Sequence, residues 1–315
     1  MKKIVLINCY FGKYPHYFEL FLKSCEYNSS VKFLFFTDND MPHFSDNIKF
    51  VKMSFGELRD RIQGYFDFDI VLDKPYKLCD YKPVYGLVFQ DFLAGYDYWG
   101  YCDIDLIFGD IRSFLREDIL SEYDKIYQLG HLTLFRNCED INKLFMSDNS
   151  IDYRSTFSTN IITVFDETEG IQKIFKNEGK KIYISRDYAD ITKKRYRFTL
   201  SDFLVDKKNN NYSRQLFCRE QGRIYRYYAS EGGVVEREEF IYIHFQKRKM
   251  PRLCNPCANY FITYNGFYEF NPPVTIKDIK SNNRFLLAEE IKNYIQVFSW
   301  RLSRKVDKLL KEKRR

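Results

Sequence analysis

Apolar and polar residues alternate in blocks along the first third of the chain, and the period changes from one block to the next. Residues 3–7 form a short apolar run that predicts a strand, and residues 14–27 repeat Tyr14, Phe18, Phe21, Leu22 and Cys25 at helical spacing. Residues 31–36 predict a second strand closing on Thr37-Asp38, residues 48–53 a third, and residues 55–66 a helix. That order predicts an α/β fold with a mostly parallel sheet, where ligands bind beyond the carboxyl ends of the strands. Asn8 and Asp38 then stand at the mouth of one crevice, Asn8 being equally suited to shaping a turn. Val84, Leu87, Val88, Phe92 and Leu93 predict a helix beginning after Pro83. Lys82, just before it, either meets an anion at that helix start or pairs with Asp80 at the surface.

Residues 96–110, YDYWGYCDIDLIFGD, are the most informative stretch. Read as one extended segment, they turn Asp103 and Asp105 to the same side and Ile104 to the other. Two carboxylates converging in an apolar setting repel one another and favour a bound divalent cation, Mg²⁺ or Mn²⁺, which take oxygen ligands and share them with phosphates. Further on, residues 240–250, FIYIHFQKRKM, run from a strand into His244 and then into Lys247, Arg248 and Lys249. An imidazole followed by cations suits the far side of a metal–diphosphate site, and a strand ending in a solvated basic loop has the same pattern.

Composition narrows the classes. Aromatic residues make up 18% of the 315, with 45% hydrophobic, ample for a folded core and against disorder. No stretch approaches the roughly 20 apolar residues of a membrane span. The apolar start at residues 4–7 is short and ends in Asn8-Cys9 without a small-residue cleavage site, so it reads as a strand and not as an export signal. Eight scattered cysteines suit reduced thiols in a cytosolic protein, and Cys254-Asn-Pro-Cys257 lacks the second pair that structural zinc needs. No G-x-G-x-x-G follows the first strand and no G-x-x-x-x-G-K-S/T occurs, which disfavours dinucleotide and P-loop chemistry.

The succession of a β-α-β start, a second strand ending in T-D, the K-x-x-D-Y-K-P-x-Y-G lead-in at residues 77–86 and the W-G-Y-C-D-I-D-L-I-F-G-D strand resembles the GT-A class of nucleotide-sugar glycosyltransferases. More narrowly, with the G-H-x-T-L-F-x-N segment at residues 130–137, it resembles a bacterial family tied to surface-polysaccharide synthesis, over roughly residues 1 to 250. The resemblance implies a GT-A (Rossmann-like) single domain with a central mixed, mostly parallel sheet. It implies that Asp103 and Asp105 hold Mn²⁺ or Mg²⁺ against the donor diphosphate, with Asn8 and Asp38 near the nucleoside. Retaining members place a histidine ligand about as far downstream as His244, with a lysine after it; the glycine and K-P-W tail of those enzymes are missing here, which leaves Lys247 and Lys249 both open as the diphosphate contact. His131 faces the sugar or acceptor, or caps its strand. Asp166 and Glu167 are the expected catalytic base if the reaction inverts, although acidic residues before a helix also suit its dipole; Asp187 and Asp190 compete for that role.

The last 15 residues hold eight Lys/Arg against two acidic residues, +6 of the chain's net +7. Leu287, Ile291, Tyr294, Phe298, Leu302, Val306 and Leu309 recur every three or four positions, predicting a basic amphipathic helix within a C-terminal extension, residues 271–315, appended to a catalytic domain of residues 1–270. Such a helix suits an anionic membrane, or packing on the body or a partner subunit. The expectation is a cytoplasmic enzyme, peripheral on the inner face of the membrane, moving a hexose from a UDP-sugar to a glycan or lipid-linked acceptor and binding no nucleic acid. An aspartyl phosphotransferase or phosphatase and a non-catalytic membrane-associated binding protein are the alternatives. The phosphotransferase is disfavoured because its D-x-D normally ends the first strand.

Overall fold

The computed structural model describes residues 1–147, 152–193, 198–201, 211–230 and 232–282, together with 288, 291–292, 294–295 and 298–299. The first four strands are β1 (Ile4–Cys9), β2 (Val31–Thr37), β3 (Ile48–Lys52) and β4 (Tyr98–Cys102). After β5 (Leu106–Phe108) come β6 (Lys125–Leu129), β7 (Leu132–Arg136), β8 (Ile182–Tyr183) and β9 (Ala189–Asp190). The remaining strands are β10 (Gln215–Glu220), β11 (Arg223–Ala229), β12 (Val235–Phe240), β13 (Tyr242–His244), β14 (Tyr260–Thr263) and β15 (Gly266–Glu269).

The central sheet has the order β3-β2-β1-β4-β7-β6-β8. Pairs β1/β2, β1/β4, β2/β3 and β6/β8 are parallel, and β4/β7 and β6/β7 are antiparallel. The chain therefore forms the expected α/β fold with a mixed, mostly parallel central sheet. Successive residues of β1 serve opposite faces: Ile4 and Leu6 join one hydrophobic cluster, Val5 and Ile7 the other. A strand covered on both sides reads as a continuous apolar run, which is how IVLI was recognisable.

Helix α1 (Phe18–Tyr27) buries Phe18, Phe21, Leu22 and Cys25 on one face of the sheet. Helix α2 (Phe55–Gln63) starts at a capping box in which the Ser54 hydroxyl accepts from Glu57 N–H and the Glu57 carboxylate accepts from Ser54 N–H. The single helix expected after Pro83 is instead a chain of short turns: Pro83 lies in a 3₁₀ turn (Lys82–Val84), followed by Tyr85–Val88 and Gln90–Phe92. Gly86 allows the Trp99 indole to come so close that a β-carbon there would lie 2.5 Å from the ring. Phe89 and Phe92 pack instead on Phe36 of β2, so the apolar spacing that suggested one helix serves contacts with two strands.

The acidic stretch is not one strand. It stops at Cys102, bends through Asp103-Ile104-Asp105, and resumes as β5 in a separate three-stranded sheet, β5-β13-β9. A five-stranded antiparallel sheet, β12-β11-β10-β14-β15, covers the hydrophobic cluster that contains Phe108, Phe217, Tyr242 and Phe267. All eight cysteines are free thiols. Among the described residues no helix is long and apolar enough to cross a membrane.

Candidate functional site

A cleft of about 1320 Å³ opens where β1 and β4 end, walled on its far side by the turn that follows β13. Strand register brings its acidic and imidazole groups together. In the small sheet His244 pairs with Leu106 on one side and Asp190 on the other. In the central sheet Cys102 pairs with Leu132, which sets Asp103 against His131. The bend between β4 and β5 is clamped from both directions: Asp103 N–H donates to the His131 carbonyl (3.0 Å), and Phe245 N–H donates to the Asp105 carbonyl (2.8 Å).

Asp105 is 7% exposed. Its Oδ1 lies 3.3 Å from His244 Nε2, and its Oδ2 accepts from Lys247 N–H (2.6 Å). Gln246 and Lys247 both have positive φ, 54° and 58°, a strained backbone for non-glycine residues that turns the Lys247 N–H toward the carboxylate. Nδ1 of His244 lies 2.8 Å from Asp190 Oδ1, which also accepts from Gln246 Nε2 (2.6 Å). Burial opposes charge on the His244 ring, yet Asp105 and Asp190 push its pKa up to about 10. Asp105, against its own burial, is held well below the usual carboxylate range by that imidazole.

This set fits a divalent cation. Ligand atoms of Asp103, Asp105 and His244 lie within 4.8 Å of one another, and with Nδ1 committed to Asp190 the Nε2 face is the one left toward the acids. A carboxylate behind a ligating imidazole is the usual support of such a site. His131, Asp190 and His244 form a second cluster of the same kind, sharing His244 with the first.

Lys82 lines the cleft and does not pair with Asp80. Asp80 is fully buried and pairs with Lys77 Nζ (2.7 Å), while accepting from Thr163 N–H (3.0 Å) and Phe165 N–H (2.8 Å). Lys82 turns the other way, 2.8 Å from Asp103 Oδ1, 2.8 Å from the Gly130 carbonyl and 3.1 Å from Asp166 Oδ2. Burial pulls against its charge, but Asp103 and Asp166 hold its pKa well above the ordinary lysine value. Asp166 is 2% exposed, and its Oδ1 has no hydrogen-bond partner among the described residues. Burial pushes its pKa up to about 7 against the pull of Lys82, with Glu167 and Asp103 adding to the rise. Glu167 is half-buried and raised by the same cause. Gly130 makes room for Asp166, since a β-carbon there would lie 2.3 Å from Oδ2.

Asn8 lines the cleft, its Nδ2 donating to the Cys102 carbonyl (2.7 Å) and its Oδ1 buried without a partner among the described residues. Lys247 and Lys249 are exposed on the rim, and Lys247 Nζ donates to Tyr76 OH across it (2.7 Å). His131 lines the cleft with its ring 4.5 Å from that of His244; burial, then His244, lower its pKa to about 3. Asp38 is exposed and lies outside the cleft lining, where it accepts from Gly12 N–H (3.0 Å) and holds a loop. Asp187 also lies outside the lining, bonded to Ser185 and Tyr127. Asp190 supports an imidazole, a role separate from the base considered for it. Gln246, Tyr76 and Tyr242 escaped the sequence reading, and Asp190, considered there as a base, is placed beside His244 by strand register.

A family model described as a family of unknown function (DUF6625) matches residues 6–271. No curated protein sequence matches the chain. Among solved structures, the galactosyltransferase LgtC in complex with donor and acceptor sugar analogues is similar at 13% identity, over 64% of this chain and 80% of that one, with a TM-score of 0.36. An active-site mutant of LgtC is similar at 12% identity, over 65% and 79%, with a TM-score of 0.38.

Proposed function

The chain belongs to the family of unknown function DUF6625, and from the chemistry of its cleft we propose that it is a metal-dependent, GT-A-class glycosyltransferase. It moves a hexose from a nucleotide sugar, a UDP-hexose, to a glycan or lipid-linked acceptor of bacterial surface polysaccharide, at the cytoplasmic face of the membrane. The observation that carries this reading is the convergence of Asp103, Asp105 and His244 from two sheets at the strand ends, with Asp190 behind the imidazole and Lys247 and Lys249 on the rim. The cleft volume of about 1320 Å³ exceeds that of an ordinary single-ligand pocket, roughly 300–1,000 Å³, and so suits a donor and an acceptor side by side.

Asp103, Asp105 and His244 would hold Mn²⁺ or Mg²⁺, whose Lewis acidity supports the departing nucleotide diphosphate. The rim lysines supply charge to the same phosphates, and Asn8 Oδ1 is free to accept from the nucleoside. Lys82 orients Asp103 and Asp166 together. Asp166, with Glu167 beside it, takes the proton of the acceptor hydroxyl at its unpartnered Oδ1, a role suited to a carboxyl whose pKa burial has brought near neutrality. Aspartyl phosphotransfer is less well supported, because its D-x-D normally ends the first strand, whereas this pair follows β4.

The test is thermal unfolding with UDP and Mn²⁺ together. At ligand about 100-fold above Kd the wild type gains about 2.7 kcal/mol, a midpoint rise of about 5 °C, and Asp105→Asn gains none. No rise in the wild type overturns the proposal. Metal-dependent hydrolysis across UDP-glucose, UDP-galactose, UDP-galactofuranose and UDP-N-acetylhexosamines then identifies the donor.

A further inference from the structure

We propose that His131 is a neutral hydrogen-bond donor to a phosphoryl oxygen of the bound diphosphate, set in that state by Tyr242; this rests on the reading of the cleft as a nucleotide-sugar site. The side chain is 5% exposed and lines the cleft, and its backbone is pinned against the acidic bend by the bond from Asp103 N–H. Nδ1 lies 2.6 Å from Tyr242 OH. That phenol is fully buried and makes no other hydrogen bond among the described residues. If it accepted from an Nδ1–H, its own proton would be buried with no acceptor. By donating to Nδ1 it satisfies itself and leaves the ring proton on Nε2. Nε2 is buried and has no partner among the described residues. The result is a fixed N–H donor facing a ligand cleft, left unmet by the described residues.

The neighbouring imidazole identifies the acceptor. The His131 and His244 rings lie 4.5 Å apart, tilted by 31°, yet their Nδ1 atoms meet opposite partners, a neutral phenol and the Asp190 carboxylate. Asp190 accepts a hydrogen bond from His244 Nδ1–H and leaves that ring's Nε2 to act as a ligand; Tyr242 donates a hydrogen bond to His131 Nδ1 and leaves its Nε2–H a donor. An N–H beside a cation-binding imidazole is best matched by an oxygen anion that the cation also neutralises, which is a phosphoryl oxygen.

Long-range ¹H–¹⁵N spectra of histidine-labelled protein are expected to place the His131 proton on Nε2 in the wild type and to lose that preference in Tyr242→Phe. Adding Mg²⁺ with pyrophosphate or UDP should shift the His131 Nε2 resonance, which a purely structural histidine would not do. By calorimetry, His131→Phe should weaken both Mg²⁺–pyrophosphate and Mg²⁺–UDP by about 10-fold or more, the scale of a hydrogen bond to a charged group, and His131→Gln should restore most of the loss. Unchanged pyrophosphate binding with weakened UDP-hexose binding would assign the donor to a sugar hydroxyl and overturn the proposal, as would an Nδ1–H tautomer in the wild type. Wild-type protein that binds neither probe overturns the nucleotide-sugar reading along with it, whereas binding unaffected by either His131 variant sinks this inference alone.

Discussion

Asp190 Oδ1 accepts from both His244 Nδ1 and Gln246 Nε2, so the orientation of Nε2, the nitrogen proposed as a metal ligand, depends on the residue behind the ring. Replacing it with Asn keeps the shape and removes the charge. Asp190→Asn is expected to lower Mn²⁺ affinity about 10- to 100-fold, read by electron paramagnetic resonance of free Mn²⁺, with circular dichroism unchanged. Asp166 yields a second prediction, in pH. Burial raises its folded pKa to about 7 from an ordinary 3.8, so between those values the native state binds more protons than the unfolded chain and stability falls as pH rises through the window. Asp166→Asn removes a penalty on the order of a few kcal/mol above pH 7. Its unfolding midpoint should exceed the wild type's at pH 8 and match it near pH 4, with Lys82 still held by Asp103 and the Gly130 carbonyl. Equal midpoints at pH 8 would show that the carboxylate is not penalised by burial. Asp103, Asp105 and His244 were legible because each follows or interrupts an apolar run. Lys82–Asp166 was not, because the two lie far apart in sequence and nothing local marks either for the other.

At the scale of elements, the segment from Lys77 to Asp80 anchors the loop that carries Asp166. Asp80 receives Lys77 Nζ and the N–H groups of Thr163 and Phe165, and Lys77 in turn donates to the carbonyls of Thr156 (3.1 Å) and Ile161 (2.6 Å). Lys77 is 1% exposed, so Asp80→Ala leaves a buried ammonium without its counter-charge and two backbone donors unmet. A loss of about 3–5 kcal/mol is expected, a midpoint lower by about 10 °C in calorimetry. The double change Lys77→Met with Asp80→Leu should be milder than Asp80→Ala alone, and if it is not, the pair is not a charge-compensated anchor. Strands β1 to β3 and helices α1 and α2 could be read from period alone, because each has one environment along its length. The helix expected after Pro83 is broken into short turns that answer to two strands, Gly86 to Trp99 of β4 and Phe89 and Phe92 to Phe36 of β2, and the break between β4 and β5 was hidden because both halves are apolar and buried. A bend inside such a run leaves no mark in hydropathy.

Across the whole molecule, charge is separated from the chemistry: nearly all of the net +7 lies in the last 15 residues, which fall outside the described part, as do Leu287, Leu302, Val306 and Leu309 of the expected stripe. Of the described residues just before them, Ile291, Tyr294, Ile295 and Phe298 are helical and 54%, 73%, 60% and 60% exposed. Their spacing sets them on one side of a helix. An apolar stripe followed by a basic run has the composition of a helix lying in an anionic bilayer surface, where each nearby Lys or Arg adds about 1 kcal/mol and salt weakens the sum. We propose that this segment holds the protein at a membrane surface, where the lipid-linked acceptor proposed above would be found. Full-length protein should co-sediment with vesicles containing phosphatidylglycerol, bind phosphatidylcholine vesicles poorly, and be released as ionic strength rises. Ile291→Asp combined with Phe298→Asp should weaken the anionic-vesicle binding about 10-fold or more while leaving UDP–Mn²⁺ stabilisation intact, because neither residue lines the cleft. Equal binding to neutral vesicles, or binding indifferent to both substitutions, would reassign the stripe to contact with protein.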